Sequence, residues 1–164
     1  MQVEADATAQ GRTPLDHVAD VASIASDFGV IWVAVAALQV ATGSSSWSSA
    51  ARRLGAAGMV SLTLTRLLKH FFGVARPANP DPGTLARMPT SSSFPSGHTL
   101  AAFTSALAVP RSARGRAVAV LFAATVGWAR LRVGHHRPSD VIAGAAIGGA
   151  AGAAVAVLLD RTAS

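Results

Sequence analysis

Three short stretches of the sequence combine cations, histidines and a carboxylate. They are Lys69 with Arg76, the run Ser96-Gly97-His98, and Arg130 with His136 and Asp140. Cations gathered in one place call for an anion, and histidines beside a carboxylate are suited to proton transfer or nucleophilic attack. If the fold brings the three stretches together, we expect a site that acts on an anionic substrate.

The composition indicates what kind of fold positions these residues. Of the 164 residues, 51% are hydrophobic and 13% are charged, whereas a soluble domain has about 25% charged residues. A soluble fold of this size could not bury so much apolar surface, so we expect an all-α integral membrane bundle. The net charge is +6, but most basic residues end apolar runs or lie in one proline-rich stretch. We therefore expect head-group contacts and no nucleic-acid partner.

Hydropathy predicts about five transmembrane helices and an N-terminal interfacial helix. Residues 1–12 are expected to form a disordered tail, and residues 13–164 a single membrane-embedded domain. Thr13-Pro14-Leu15-Asp16 is typical of a helix start, and this helix could run to residue 42. Its first half carries polar side chains on one face, which favours the membrane interface: Asp16, Asp20, Ser23 and Asp27. Its second half, 28–42, would enter the bilayer.

The remaining spans are predicted at 54–72, 99–109, 117–129 and 141–159. The spans 54–72 and 99–109 are joined by residues 73–95. This stretch holds five of the eight prolines and is expected to be a loop. The third and fourth apolar cores are short for a hydrocarbon layer about 30 Å thick. They reach full length only if flanking polar residues continue the helices.

The last span carries a stripe of small residues formed by Gly144, Gly148 and Gly152. This spacing lets helices pack closely in lipid, and it also offers a route to homo-oligomers. Six arginines lie in the two turns opposite the three reactive stretches or at the C-terminus, and they are expected to anchor at head groups: Arg52, Arg53, Arg111, Arg114, Arg116 and Arg161.

Tracing five spans brings the three reactive stretches to one membrane face. Here the sequence resembles the type 2 phosphatidic acid phosphatase superfamily in three motifs. Lys69, six residues, then Arg76-Pro77 is similar to its first motif, and Pro95-Ser96-Gly97-His98 to its second. Arg130, five residues, His136, three residues and Asp140 are similar to its third. All three motifs in order make the resemblance specific. One departure is Ala129, where the family usually has serine, which removes one hydrogen bond to phosphate.

The resemblance implies a lipid phosphatase that needs no cofactor and no metal. In that mechanism His136 attacks phosphorus and forms a phosphohistidine, Asp140 orients its ring, and His98 protonates the departing alkoxide. The phosphate oxygens would be bound by the remaining motif residues: Lys69, Arg76, Ser96, Gly97 and Arg130. His135 and His70 occupy unspecified motif positions, and we expect them to lie at the interface or to support the site.

Several readings of the substrate and the site stay open. The preferred substrate is prenyl-linked, a prenyl diphosphate or a prenylphosphoryl-phosphoribose phosphate, because the Ala, Arg, Gly and Val bias is typical of a GC-rich bacterium. Phosphatidate or phosphatidylglycerol phosphate is the alternative. A vanadate-dependent haloperoxidase and a non-catalytic lipid-phosphate binder are less favoured functions. A zinc site at His135, His136 and Asp140 is also less favoured, because nearby cations would repel the metal ion.

The arginine distribution predicts the orientation in a bacterial inner membrane. The six arginines opposite the motifs outnumber the four basic residues that the motifs leave on the site face. The positive-inside rule therefore favours an extracytoplasmic site.

Overall fold

The computed structural model describes residues 13–26, 30–77, 89–110 and 112–162. Regular structure in these ranges is helical throughout. The helices are α1 (Pro14–Ser26), α2 (Val30–Ala41), α3 (Trp47–Phe72), α4 (Gly97–Ala108), α5 (Ala113–Arg132) and α6 (Pro138–Arg161). The predicted N-terminal tail, 1–12, lies outside the described residues, as do 78–88 of the predicted loop.

Helix α1 begins as predicted. The Thr13 amide donates to Oδ2 of Asp16 at 2.8 Å, and the Thr13 hydroxyl donates to the same oxygen at 2.7 Å. The prediction of one helix over 13–42 was wrong, because the axes of α1 and α2 differ by 73°. The two helices have different partners: α1 packs on α5, whereas α2 packs on α3.

The polar face of α1 is directed inward, which corrects the expected arrangement. Asp20 and Ser23 are buried, while Val18 and Val21 are 51% and 67% exposed. The expectation that this face lies at the membrane interface was therefore wrong for Asp20 and Ser23; Asp16 is partly exposed, and Asp27 lies outside the described residues. The polar side of α1 covers α5, and its apolar side faces outward.

Helix α4 lies at the centre of the bundle, in contact with α3, α5 and α6. It has 12 residues, so at 1.5 Å per residue it is about 18 Å long. Flanking residues extend this element only to Gly97 and His98 at its start, and it ends at Ala108, before Pro110, so the condition for full length is not met. Helix α5 has 20 residues, about 30 Å, and its flanking arginines do continue it as predicted.

The glycine stripe of α6 packs against α4. A Cβ atom added to Gly144 would lie 2.7 Å from the Ser96 carbonyl oxygen, and one on Gly148 or Gly152 would lie still closer to the carbonyl of Leu100 or Thr104. The predicted close packing is confirmed. The three glycines are buried within one chain, and the use of this stripe between copies of the chain stays a prediction.

Arg53 is not the head-group anchor that the sequence predicts. It is 3% exposed, donates to the Ala108 carbonyl at 2.9 Å, and forms an ion pair with Asp160. This arginine ties α3 to the ends of α4 and α6. The neighbouring Arg52 is exposed, as an anchor would be.

Length and hydropathy single out one described helix, α6, as able to cross a membrane alone. The α1–α2 pair would count as a second if it is one bent span.

Candidate active site

Backbone hydrogen bonds join the three reactive stretches at one end of the bundle. The Ser93 amide donates to the Val74 carbonyl at 2.7 Å, and the Ser96 amide donates to the Asp140 carbonyl at 3.0 Å. A side-chain contact joins the remaining pair of segments, since Arg137 donates to the Ala75 carbonyl at 2.8 Å. The segments that follow α3, precede α4 and join α5 to α6 therefore form one continuous surface.

His136 lies between a carboxylate and a guanidinium. Its Nδ1 is 3.5 Å from Oδ2 of Asp140, and its Nε2 is 3.2 Å from a terminal nitrogen of Arg76. A guanidinium can only donate, so the network assigns the proton of the neutral ring to Nδ1 and the lone pair to Nε2. If His136 is the nucleophile that the sequence predicts, Nε2 is the atom that attacks.

Asp140 is held in place by two donors besides His136. It occupies the first turn of α6, where Oδ2 accepts from the Arg137 amide at 2.8 Å. The Ser93 hydroxyl donates to the same oxygen and lies 3.5 Å from Nδ1 of His136. Ser93 is fully buried. Sequence reasoning missed it because it stands in a run of serines that looks like loop, although it is only three residues before Ser96.

Lys69 and Arg76 converge on the segment that precedes α4. Lys69 donates to the Ser92 carbonyl and lies 3.3 Å from the Ser91 hydroxyl. Arg76 donates to the Ser91 carbonyl at 2.9 Å and to the His135 carbonyl at 2.9 Å. Neutral carbonyl acceptors orient these two cations without cancelling their charge, so the charge can act on an anion.

Burial and these cations determine the charge state of His136. Burial lowers the pKa of the His136 imidazole to about 3, helped by the charges of Arg76, Arg130 and Lys69 and opposed by Asp140. The ring is therefore neutral at pH 7. Burial also lowers the pKa of Arg76, but a guanidinium remains charged at neutral pH.

A cavity of about 670 Å³ opens on this surface. Lys69, Arg76, Gly97, His98 and His136 all line it. The two histidines that the sequence predicts to act on opposite sides of a phosphate thus face the same space.

Three other predicted residues lie behind the cavity wall, namely Ser96, Arg130 and Asp140. Ser96 is fully buried, and its hydroxyl accepts from Thr99 at 2.9 Å.

Gly97 allows α4 to approach α3, since a Cβ there would lie 2.8 Å from a Thr65 methyl carbon and 3.7 Å from Lys69. This glycine is needed for packing at the cavity wall.

Arg130 is 1% exposed and has partners on two sides. One terminal nitrogen donates to the Ser23 hydroxyl of α1, and the other lies 2.7 Å from Nδ1 of His135. His135 is fully buried, so it supports the site and does not lie at the interface. Because its carbonyl also accepts from Arg76, His135 links two of the cations.

Comparison with known proteins places this geometry in a family. Residues 50–163 match the family model described as the PAP2 superfamily. The chain belongs to the PAP2 superfamily. The resemblance identified from the three motifs is therefore confirmed, and all three motifs fall within the matched residues.

Individual relatives within the PAP2 superfamily extend this result. The chain is 44% identical over 94 residues to a "Lipid A 1-phosphatase" of Rhizobium etli, covering 52% of this chain and 40% of that protein. It is 33% identical over 101 residues to a "Decaprenylphosphoryl-5-phosphoribose phosphatase" of Mycobacterium tuberculosis, covering 62% and 56%. The matched segments thus span about half the length of these relatives. The crystal structure of Aquifex aeolicus LpxE superposes with a TM-score of 0.65 at 27% identity, covering 92% of this chain and 88% of that one.

The departure from the PAP2 pattern at position 129 has a structural context. Ala129 is fully buried and packs with Ala19 and Ala22 of α1 and with Val133. The residue at this position therefore contacts α1, and Arg130 donates to the hydroxyl of Ser23 on that helix.

His135, His136 and Asp140 are possible metal ligands by residue type. Among the described residues, no cluster of three histidine, aspartate or glutamate side chains has the spacing of a metal site. Nδ1 of His135 faces Arg130, whereas His136 faces Asp140. The side chains of the two histidines thus serve different partners.

Proposed function

We propose that this chain is a membrane lipid phosphatase in which His136 is the nucleophile. The observation that carries the proposal is the arrangement around Nε2 of His136. Its lone pair lies at a cavity that Lys69, Arg76 and His98 also line, and Nδ1 faces a carboxylate. A neutral nucleophile, two cations and a second histidine at one cavity are the components that phosphoryl transfer requires.

The chemistry follows from these positions. Nε2 of His136 attacks phosphorus, and a P–N bond forms as the P–O bond to the leaving group breaks; the leaving group is an alcohol for a phosphomonoester and a prenyl phosphate for a prenyl diphosphate. His98 gives its proton to the departing oxygen, and the negative phosphate beside His98 favours the protonated form that this needs. Asp140 stabilises the positive charge that develops on the His136 ring. Water then attacks phosphorus as His98 takes its proton, the P–N bond breaks with its electron pair returning to Nε2 of His136, and phosphate leaves.

The cavity also supports a lipid as substrate. Below the charged rim it continues between α2, α3 and α4 along apolar and small residues: Trp32, Val33, Leu54, Gly58, Leu62, Ala101 and Ala102. Leu54 and Lys69 are 15 residues apart on α3, so the cavity extends about 22 Å along that helix. A phosphate at the rim would leave its hydrophobic tail in this lower part.

The substrate class we favour is prenyl-linked, a prenyl diphosphate or the phosphate of a prenylphosphoryl-phosphoribose. The similarity to the mycobacterial phosphatase, which covers 62% of this chain, supports it. A second candidate is the 1-phosphate of a glycolipid, supported by the 44% identity to the Rhizobium etli protein. Phosphatidate and phosphatidylglycerol phosphate remain to be compared in the same assay.

We further propose that the helices form about five spans and that the site lies on the extracytoplasmic face of a bacterial inner membrane. The apolar outer side of α1 and the hydropathy of α6 support the membrane location. The chain has no cysteine, so single cysteines report orientation without background. Thr90→Cys, beside the site, should react with an impermeant thiol reagent in intact cells, and Ser48→Cys at the opposite end should not. The reverse pattern would place the site in the cytoplasm.

The central test is phosphate release by purified protein from these lipids. His136→Ala should lose several orders of magnitude in rate, because the covalent step and its support fail together. His70→Ala is the matched control, since His70 is exposed and outside the cavity, and it should keep its activity. EDTA should have no effect. Loss of activity in EDTA with recovery on adding zinc would overturn the metal-free mechanism.

A further inference from the structure

Helix α1 directs its polar side chains at the arginines of α5. Arg132 donates to Oδ1 of Asp16 at 2.7 Å, and Arg130 donates to the hydroxyl of Ser23. Between these contacts, Ala19 and Ala22 pack against Ala129 and Val133. The interface thus has an ion pair at its outer end, a small apolar centre, and a hydroxyl–guanidinium contact at its inner end, next to the site.

The burial of the inner contact distinguishes it from an ordinary surface hydrogen bond. Ser23 is fully buried and Arg130 is 1% exposed. A buried guanidinium needs acceptors to offset its lost hydration, and Ser23 supplies one while His135 contacts the other terminal nitrogen. With a partner on each terminal nitrogen, the plane of the guanidinium is fixed. Arg130 lies behind the cavity wall, so in this fixed orientation it acts on a phosphate in the cavity through its positive charge.

We propose that Ser23 of α1 is a positioning residue for the phosphate chemistry, because it sets the orientation of Arg130. The inference rests on the phosphatase function proposed above and on the phosphate-binding role that the motif resemblance implies for Arg130. Helix α1 lies outside residues 50–163, which the family model matches, so the assignment comes from this chain's own structure. Helix α1 is thereby a part of the active site and not merely a membrane-surface anchor.

The test is a double-mutant cycle between the two residues. A hydrogen bond to a charged group is worth about tenfold to 100-fold in rate when it is used in the transition state. Ser23→Ala should therefore lower kcat/KM by about that factor and weaken inhibition by vanadate, a mimic of pentavalent phosphorus, in parallel. In an Arg130→Gln background, Ser23→Ala should have no further effect, because the residue it positions is gone.

Two further variants separate positioning from packing. Ser23→Cys keeps nearly the same volume but replaces the hydroxyl by a weak acceptor, so it should lose as much activity as Ser23→Ala. Asp16→Asn weakens the outer contact of the same interface with Arg132, and it should lower the thermal midpoint without the parallel loss of vanadate affinity.

The outcomes that overturn the inference are distinct from those that overturn the role of Arg130. Full activity in Ser23→Cys, or equal losses of vanadate affinity in Asp16→Asn and Ser23→Ala, would make α1 a packing element only. If Arg130→Gln is impaired while Ser23→Ala is not, the positioning role alone fails. If Arg130→Gln is fully active, the phosphate-binding role of Arg130 fails, and the role of Ser23 with it.

Discussion

A terminal nitrogen of Arg76 lies 3.2 Å from Nε2 of His136, the atom that we assign to attack phosphorus. The same nitrogen donates to the His135 carbonyl. For attack to occur, Nε2 must release this donor, and a phosphate oxygen is the natural acceptor to take it. Arg76 would then pass from the nucleophile to the substrate, so binding of the phosphate exposes the lone pair.

The lowered pKa of His136 predicts how stability depends on pH. The unfolded chain has a histidine pKa near 6.5, and the folded value is about 3. Between these values the unfolded state binds more protons, so stability rises with pH through this window and is complete above about pH 6.5. We expect the thermal midpoint in detergent to fall as the pH is lowered from 7 to 4.

A glutamine at position 136 isolates this contribution, because it does not titrate. The pH-dependent fall should be smaller in His136→Gln than in the unmodified protein, with differential scanning calorimetry as the measurement. Parallel curves for the two proteins would show that His136 does not titrate with a lowered pKa.

Ser93 should matter to the rate because it orients the carboxylate that faces His136. Removing a hydrogen bond to a charged group costs about 1.5 kcal/mol or more, so Ser93→Ala should lower kcat about tenfold. Ser92→Ala is a matched control, because the Ser92 hydroxyl donates to the carbonyls of Val74 and Phe94 and not to Asp140. Steady-state kinetics on both variants decides the matter: equal rates would limit Ser93 to a packing role.

Two adjacent glycines of α6 give a sharp test of the fold. A Cβ on Gly148 would collide with the backbone of Leu100, whereas one on Gly149 meets only a Leu107 methyl carbon at 3.9 Å. Gly148→Ala should lose about 1–3 kcal/mol of stability or fail to fold. Gly149→Ala should be neutral or gain about 0.5–1 kcal/mol, because alanine favours a helix. Thermal unfolding in detergent compares them, and an unaffected Gly148→Ala would contradict the α4–α6 packing.

The sequence predicts the site better than the elements that support it. Motif spacing and span tracing together placed Lys69, Arg76, His98 and His136 on one face, and the structure brings them to one cavity. These residues can be identified from the sequence because charged and titratable side chains are energetically costly inside a membrane protein, and because the helices that carry them fix their spacing.

The supporting contacts escaped sequence reasoning because they depend on how helices pack. The polar face of α1 predicts equally well a helix on water and a helix docked on arginines, and only the packing with Ala129 distinguishes the two. The sequence around Arg53 predicts a surface cation, and only the fold brings Asp160, more than a hundred residues away, beside it. Ser93 has no pattern of its own that sets it apart from Ser91 and Ser92.

His98 is the residue whose role depends most on the substrate. It lines the same cavity as His136, and for a lipid phosphomonoester we assign to it the proton that the departing alcohol takes up; a prenyl diphosphate releases a prenyl phosphate, which needs this proton far less. A lipid alcohol has a pKa far above 7, so its P–O bond breaks readily only if the oxygen is protonated as it leaves. An aryl phosphate such as p-nitrophenyl phosphate has a much better leaving group and needs this proton far less.

The effects of substituting the two histidines should therefore depend differently on the leaving group of the substrate. His98→Ala should slow hydrolysis of the lipid phosphate severely and hydrolysis of p-nitrophenyl phosphate only modestly, whereas His136→Ala should abolish both because each needs the nucleophile. General acid catalysis contributes about 10²–10⁴-fold, which sets the upper limit for the difference between the two substrates in His98→Ala. The measurement is kcat/KM for both substrates with both variants. If His98 only donates a hydrogen bond to bound phosphate, both substrates would slow by the same factor, and equal losses would remove its assignment as the acid.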